Sequence, residues 1–192
     1  MNDAVKMFCI VVGVTTACGT LLSGVHDFTR QRIVVQQLRY VKGPAVRAVL
    51  DHAENDPLAD RIQITMGDKS VLLFPGTTGG KLTGVAIEAS GQGYGGPVSV
   101  ITGFDPVTGD CSAIAIAGAS ETPGIGSRIN DPVFTRCFKG LACSTQAALR
   151  SGGGTIDGIS GATISSKAVC SAVNKAQRLF LSLRDNLPED LQ

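Results

Sequence analysis

The chain has few aromatic residues and few histidines. Its 192 residues include no Trp, two Tyr and two His, and aromatic residues make up 5% of the total. With only His26 and His52 available, a His-built metal site or a Ser-His-Asp triad is disfavoured, so we predict no metal ligand and no catalytic residue. The core must be built mainly from Val, Ile, Leu and Ala.

The chain also lacks an excess of charge of either sign. Lys and Arg total 17 against 16 Asp and Glu, which gives a formal net charge of +1. No basic run with interleaved aromatic residues occurs, so we expect no nucleic-acid partner. None of the six cysteines forms a Cys-x-x-Cys pair, which argues against zinc or an iron–sulfur cluster bound within the chain.

The most conspicuous feature present is an uncharged N-terminal stretch, residues 7–25. As a helix, these 19 residues would be about 28 Å long, close to the ~30 Å hydrocarbon core of a bilayer. Residues 1–26 are therefore predicted to be a transmembrane anchor. A cleaved signal peptide and a lipoprotein site at Cys18 are the alternatives.

The charges that flank this stretch predict a cytoplasmic main domain. Arg30, Arg32, Arg39 and Lys42 follow it, whereas Lys6 precedes it, and positive charge normally stays inside. The rule is weak for a long translocated domain.

The remaining chain predicts an α+β fold with an antiparallel sheet. Residues 27–60 form a membrane-proximal helical linker, interrupted at Lys42-Gly43-Pro44, and residues 61–192 form the main domain. Short runs rich in Val and Ile predict strands at 61–66, 71–74, 82–89, 98–104 and 113–117, with a hairpin turn at 105–110. Strands and helices do not alternate along the chain, so a doubly wound fold is not expected.

An amphipathic helix is predicted from Ser165 onward. Its apolar residues recur every three or four positions, namely Val169, Ala172, Val173, Ala176, Leu179, Phe180 and Leu183. Lys167, Ser171, Asn174 and Arg178 lie on the polar face, and Pro188 predicts the stop.

Just before this helix stands the heptapeptide Asp157-Gly158-Ile159-Ser160-Gly161-Ala162-Thr163. A glycine-rich approach to a helix start brings backbone N–H groups and the positive end of the helix dipole toward an anion. The residues alone thus indicate an anion site. The simpler alternative is that Thr163 or Ser165 only caps the helix.

The heptapeptide resembles the Asp-x-x-Ser/Thr-Gly-Ala-Thr flavinylation signal of the FMN-binding domains of Rnf and Nqr respiratory complexes. Two more segments are similar to the same family, Gly-Gln-Gly-Tyr94-Gly-Gly-Pro at 91–97 and Glu121-Thr122-Pro-Gly124-Ile-Gly at 121–126. The three motifs occur in family order behind an apolar span. The length favours the G subunit of the Rnf electron transport complex over its longer relative, the C subunit of Nqr.

The resemblance implies a role for each motif residue. FMN would be joined through its phosphate to the Thr163 hydroxyl by a flavin transferase that uses FAD. Ser160, Gly161 and Ala162 would shape the turn. Asp157 would either be recognised by the transferase or be an ordinary turn residue. Glu121, Thr122 and Gly124 would line the isoalloxazine, Tyr94 would stack on it or pack on the sheet, and Lys167 would steady the phosphate or lie in solvent. Family members often carry a His before the Glu-Thr-Pro-Gly loop, where this chain has Ala119-Ser120.

By the same resemblance the chain is a covalent-FMN electron-transfer subunit of a membrane complex, and so a redox subunit of a translocase. That complex couples electron transfer between ferredoxin and NAD to pumping of Na⁺ or H⁺. The domain would lie on the extracytoplasmic side of the inner membrane and exchange electrons with a second flavin-bearing subunit. A flavinylated donor for an extracytoplasmic reductase and a non-redox FMN-binding sensor are the alternatives. Cys137 and Cys143 are candidates for a disulfide in an oxidising compartment, although spacing does not fix connectivity.

Overall fold

The N-terminal segment is one long helix. The computed structural model describes residues 3–66 and 69–184, and helix α1 runs over Asp3–Gln36. Its Asp3–Arg30 part has a mean hydropathy of 1.9 in its most apolar window, with none of that window buried. This part is long and apolar enough to cross a membrane. No Gly or Pro occurs between Gly24 and Gly43, so nothing in the local chemistry ends the helix near residue 26.

The predicted interruption at Lys42-Gly43-Pro44 is where the helix type changes. A π-helical segment, Gln37–Lys42, leads into helix α2, Gly43–Val49. Pro44 lies in the first turn of α2, where the fixed φ of proline is compatible with a helix. The chain forms two compact units, Met1–Tyr40 and Val41–Gln192. The boundaries predicted after residues 26 and 60 stay predictions.

An antiparallel sheet forms the centre of the second unit. Within the described residues it has five strands: β1 Ile62–Met66, β2 Lys69–Thr78, β3 Lys81–Gln92, β4 Pro97–Phe104 and β5 Cys111–Gly118. Their spatial order follows the chain, as in a meander. The predicted turn at 105–110 closes with the Asp105 N–H donating to the Asp110 carbonyl at 3.0 Å. The α+β antiparallel fold expected from the sequence is confirmed.

Helices cover both faces of the sheet. Helix α4, Thr163–Arg184, packs on β3 and β4, and α2 packs on β4 and β5. On the α4 face, Phe104 stacks on Phe180 with ring centroids 4.7 Å apart. On the α2 face, the absence of a side chain at Gly103 leaves room for Val49. Most of β4 is buried because it is covered from both sides.

The predicted apolar stripe of α4 is the buried face of the helix. Val169, Ala172, Val173, Ala176, Phe180 and Leu183 are buried, and Leu179 packs against the same core. The predicted stop at Pro188 lies outside the described residues.

The connection between β5 and α4 is made of short helical turns. It contains a 3-10 turn at Gly126–Asn130, helix α3 at Pro132–Thr135 and further 3-10 turns at Arg136–Phe138 and Arg150–Gly152. Phe134, Phe138, Leu149 and Ile156 from this connection enter the core beside α4. It therefore holds the start of α4 against the sheet.

All six cysteines are free. The Cys137 thiol donates to the Val133 carbonyl at 3.3 Å, whereas Cys143 packs against the core around Phe180. The disulfide considered between Cys137 and Cys143 is thus not formed, because the helical turn at Arg136–Phe138 directs Cys137 toward its own preceding turn. Burial raises the pKa of the Cys111 thiol to about 12, and that of Cys143 to about 11.

Candidate functional site

A cavity of about 520 Å³ opens where α4 begins. It is lined by Tyr94, Glu121, Thr122, Ile125, Gly126, Gly161, Ala162, Thr163, Ile164 and Ser165. Sites for small molecules and cofactors usually have volumes of about 300–1,000 Å³. The three motif segments therefore meet in one place, and the space between them suits a ligand of cofactor size.

The heptapeptide forms a tight turn that leaves Thr163 exposed at the cavity. Gly161 has a φ of 80°, in the left-handed region that favours glycine. The Ala162 N–H donates to the Ile159 carbonyl at 3.0 Å. The buried Ser166 hydroxyl accepts from the Ile159 N–H at 3.2 Å and donates to the Ala162 carbonyl at 2.9 Å. The turn is thus fastened to α4 from inside, while the Thr163 side chain points outward.

Thr163 is also the first residue of α4. The first N–H groups of an α-helix have no carbonyl one turn before them and carry the positive end of the helix dipole. An anionic group attached to the Thr163 hydroxyl would therefore lie next to donors that need a partner.

A second wall of the cavity is the loop that starts at Glu121. The Thr122 carbonyl accepts from the N–H groups of Ile125 and Ser127 at 3.3 and 3.2 Å. The Gly124 N–H donates to the Ser127 hydroxyl at 2.9 Å, and Gly124 has a φ of 77° at the tip of the loop. The turn presents Thr122 and Ile125 to the cavity and leaves Gly124 outside its lining.

Apolar side chains stand exposed around the mouth of the cavity. Tyr94 is 73% exposed, Ile125 51% and Ile164 53%. Exposed apolar groups that cluster at a cavity are typical of a site that binds an apolar ligand or another protein.

The structure brings six of the predicted site residues together. Tyr94, Glu121, Thr122, Gly161, Ala162 and Thr163 line the cavity. The other four lie elsewhere: Ser160 and Gly124 stand in the turns behind it, Asp157 pairs with Arg150 at 2.9 Å, and Lys167 lines a separate cavity of about 390 Å³ with Asn174 and Arg178. The roles given to these ten residues stay predictions.

Four lining residues were not predicted as site residues, namely Ile125, Gly126, Ile164 and Ser165. Ile125 and Gly126 belong to a motif already recognised, so their place in the loop was the available signal. Ser165 is buried and donates a hydrogen bond to Glu121. The two residues are 44 positions apart in the chain, so local sequence gives no signal for this contact. Among residues 3–66 and 69–184, no group of three or more His, Cys, Asp or Glu side chains comes together as a metal site.

Comparison with known proteins gives consistent results. A family model described as FMN-binding domain matches residues 93–178. The chain is 30% identical over 179 residues to the G subunit of the ion-translocating oxidoreductase complex of Stutzerimonas stutzeri, covering 88% of this chain and 75% of that one. The corresponding protein of Methanosarcina acetivorans is 26% identical over 176 residues, covering 91% and 93%. The G subunit of the Na(+)-translocating ferredoxin:NAD(+) oxidoreductase complex of Acetobacterium woodii is 23% identical over 188 residues, covering 92% and 90%.

A solved structure shows the same fold. NqrC of Shewanella oneidensis superposes with a TM-score of 0.50 at 19% identity, over 69% of this chain and 75% of that chain. Helix α1 is apolar and exposed, and the relatives are subunits of ion-translocating oxidoreductase complexes. Together these findings indicate a membrane protein. The FMN-binding match at 93–178 includes every residue that lines the cavity at α4. By these similarities, and as its motifs predict, the chain belongs to the family of the G subunits of ion-translocating oxidoreductase complexes.

Proposed function

We propose that this chain is the electron-transfer subunit of a membrane-bound ferredoxin:NAD oxidoreductase complex that moves ions, with FMN bound covalently at Thr163. The observation that carries the proposal is the place of Thr163. Its exposed side chain lies at the first turn of α4, beside a cavity of about 520 Å³.

The residues around the cavity suit the two halves of FMN. N–H groups of the first turn of α4 would face the phosphate. Tyr94, Ile125 and Ile164 offer apolar surface for the flat isoalloxazine, and all three are exposed at the mouth. FMN supplies the electron-transfer chemistry, and the protein supplies attachment, orientation and a surrounding of fixed polarity.

Attachment makes the Thr163 hydroxyl a nucleophile. Its oxygen would form a bond to the FMN phosphorus of FAD as the diphosphate bond breaks, with AMP as the leaving group and release of the hydroxyl proton. Glu121, a carboxylate that lines the cavity, already accepts from the Ser165 hydroxyl and from the N–H groups of Tyr94 and Gly95. A separate flavin transferase is therefore the proposed catalyst of this step, with Asp157 as part of the surface that it recognises.

Thr163→Ala tests the attachment. Co-produced with a flavin transferase, the variant should carry no covalent flavin, while the fold survives because Thr163 is exposed and substitutions at exposed positions change stability by about 0.5 kcal/mol or less. Intact mass and ultraviolet fluorescence of the denatured protein in a gel measure attachment. Thr163→Ser is the matched control, because it keeps a hydroxyl at the same place, and it should retain some covalent flavin.

Two outcomes would contradict the assignment. A Thr163→Ala protein that fluoresces like the wild type would place the attachment at another residue. A wild-type protein that carries no covalent flavin beside an active transferase would favour a non-redox binding module.

The proposed partners are the other membrane subunits of the complex, among them a second flavin-bearing one, and the proposed side for the domain is extracytoplasmic. Ser151 is exposed and outside the cavity, so a Cys placed there reports the side. A membrane-impermeant maleimide should label Ser151→Cys in intact cells, above the level of the protein without that change. Labelling only after permeabilisation would place the domain in the cytoplasm, as the flanking charges predict.

A further inference from the structure

The Glu121 carboxylate joins two walls of the cavity. Its Oε1 accepts from the backbone N–H groups of Tyr94 at 2.9 Å and Gly95 at 3.4 Å. Its Oε2 accepts from the Ser165 hydroxyl at 2.7 Å. Tyr94 belongs to the loop between β3 and β4, and Ser165 to the first turn of α4, so one side chain links elements that are far apart in the sequence.

Two glycines make room for this carboxylate between the walls. A Cβ at Gly126 would lie 2.6 Å from Oε2, and a Cβ at Gly93 would collide with Oε1. The Ser165 partner is itself 2% exposed. Glu121 therefore bridges the two walls, with protein donors on both oxygens.

We propose that Glu121 is a positioning residue: by tying the 91–97 loop to α4, it sets the separation between Tyr94 and Thr163, and so the shape of the flavin cavity. This inference rests on the proposed function. It adds to the role in which Glu121 lines the isoalloxazine, because the contacts that carry it are made to groups of the protein.

The charge of Glu121 matters for this role. Hydrogen bonds to an ionised acceptor are about twice as strong as neutral ones. In Glu121→Gln, the amide oxygen can still accept from Tyr94 and Gly95, and the NH₂ group can donate to the Ser165 hydroxyl, so the ties remain only as weaker, neutral hydrogen bonds. This variant should therefore weaken the tie at both ends, and Ser165→Ala should break it at the α4 end, which releases the 91–97 loop together with Glu121.

The control is a carboxylate with a similar backbone role far from the cavity. Asp105 Oδ1 accepts from the N–H groups of Val107 at 2.7 Å and Thr108 at 3.1 Å, in the turn after β4. Asp105→Asn removes one negative charge, as Glu121→Gln does, without touching the cavity lining.

The experiment uses full-length protein, co-produced with limiting flavin transferase and purified in detergent. It measures the rate of covalent flavin incorporation, the visible circular dichroism and fluorescence yield of the bound flavin, and amide hydrogen exchange by mass spectrometry. Glu121→Gln should incorporate flavin about 10-fold more slowly, the fold-change that corresponds to one charge-assisted hydrogen bond. Its bound flavin should show an altered visible dichroism.

Hydrogen exchange separates positioning from a direct contact with flavin. Exchange in the 91–97 loop should speed up about 10-fold in Glu121→Gln, and in the same direction in Ser165→Ala, whose change lies across the cavity from that loop. Asp105→Asn should speed exchange only around its own turn. The Ser165→Ala arm carries the test if Glu121→Gln folds poorly.

Three outcomes would overturn the inference. One is a Glu121→Gln protein that matches the wild type in all measurements. Another is slower incorporation with unchanged exchange at 91–97, which would mean a direct contact with flavin or transferase. The third is an Asp105→Asn protein that behaves like Glu121→Gln. A wild type without covalent flavin would instead remove the proposed function, and the exchange measurements would still decide whether Glu121 ties the walls.

Discussion

Asn174 of α4 pairs with both backbone polar groups of Ala147. Its Oδ1 accepts the Ala147 N–H at 2.7 Å, and its Nδ2 donates to the Ala147 carbonyl at 2.9 Å. Gln177, one turn later, donates to the carbonyls of Ala142 and Thr145 at 3.3 and 3.2 Å. The segment 141–148 has no helix or strand of its own. Side chains of α4 therefore take the place of the partners that a regular element would give to its backbone.

Asn174→Ala should destabilise the protein by about 2–3 kcal/mol, because it leaves both groups of the buried Ala147 without that partner. Urea unfolding followed by circular dichroism measures the change. Ser171→Ala, at an exposed position one turn earlier, should change the free energy of unfolding by less than about 0.5 kcal/mol. Equal effects of the two substitutions would contradict the role of Asn174.

Phe180→Ala should remove the stack on Phe104 and cost about 3–5 kcal/mol, as large-to-small changes in a packed core do. Phe180 is 1% exposed, so little rearrangement of neighbouring side chains can fill the space. The thermal midpoint measures the loss. Leu181→Ala, at a neighbouring side chain that is 42% exposed, is the control and should have a much smaller effect. A Phe180→Ala midpoint close to the control value would show that the stack contributes little.

Stability should fall as the pH rises above 9. Burial raises the pKa of the Cys111 thiol from 9.0 to about 12, so the folded state keeps a proton that the unfolded state loses. The stabilising contribution of the protonated Cys111 thiol is fully present below pH 9. By pH 10 the free energy of unfolding should be lower by about 1 kcal/mol.

Cys111→Ala should reduce this loss, because the titrating group is gone. The measurement is the difference in free energy of unfolding between pH 8 and pH 10, compared for the two proteins, which removes the cost of the cavity left by the substitution. An identical pH dependence in the two proteins would contradict the assignment to Cys111.

Removal of residues 1–40 should give a soluble protein. The most apolar window of α1 is fully exposed, and α1 continues to Gln36. The remaining compact unit begins at Val41. Fractionation of a host that lacks the complex tests the prediction. Sedimentation of the truncated protein with washed membranes would show that another segment binds lipid.

Asp157→Asn should lower covalent flavin loading without lowering stability. The Arg150–Asp157 ion pair has side chains that are 68% and 67% exposed, and exposed pairs contribute about 0–1 kcal/mol. Arg150→Ala breaks the same pair but keeps the carboxylate, so its flavin loading should stay at the wild-type level. Similar losses in both variants would mean that the pair, and not Asp157, is what the transferase requires.

Local patterns were sufficient to predict the five strands and the helix α4, and they drew attention to the heptapeptide before α4. Alternating and periodic apolar residues mark β3, β4 and α4, and Asp105-Pro106 with Gly109 marks a turn, since each signal lies within a few residues of chain. The three cavity motifs were recognisable in the same way. The anchor and the helical linker were predicted as separate segments, whereas α1 runs over Asp3–Gln36 without a break, because this part of the sequence has no stop signal after Gly24.

Only the tertiary structure decided which of these residues meet. The meander and the short turns after β5 bring Glu121 to Ser165 and Tyr94, a contact that no spacing along the chain predicts. The direction of α4 carries Lys167 to a different cavity from Thr163, although the two lie only one turn apart. The same packing separates Cys137 from Cys143. Secondary structure follows from nearby residues, whereas the geometry of the site depends on long-range packing of a sheet covered by helices on both faces.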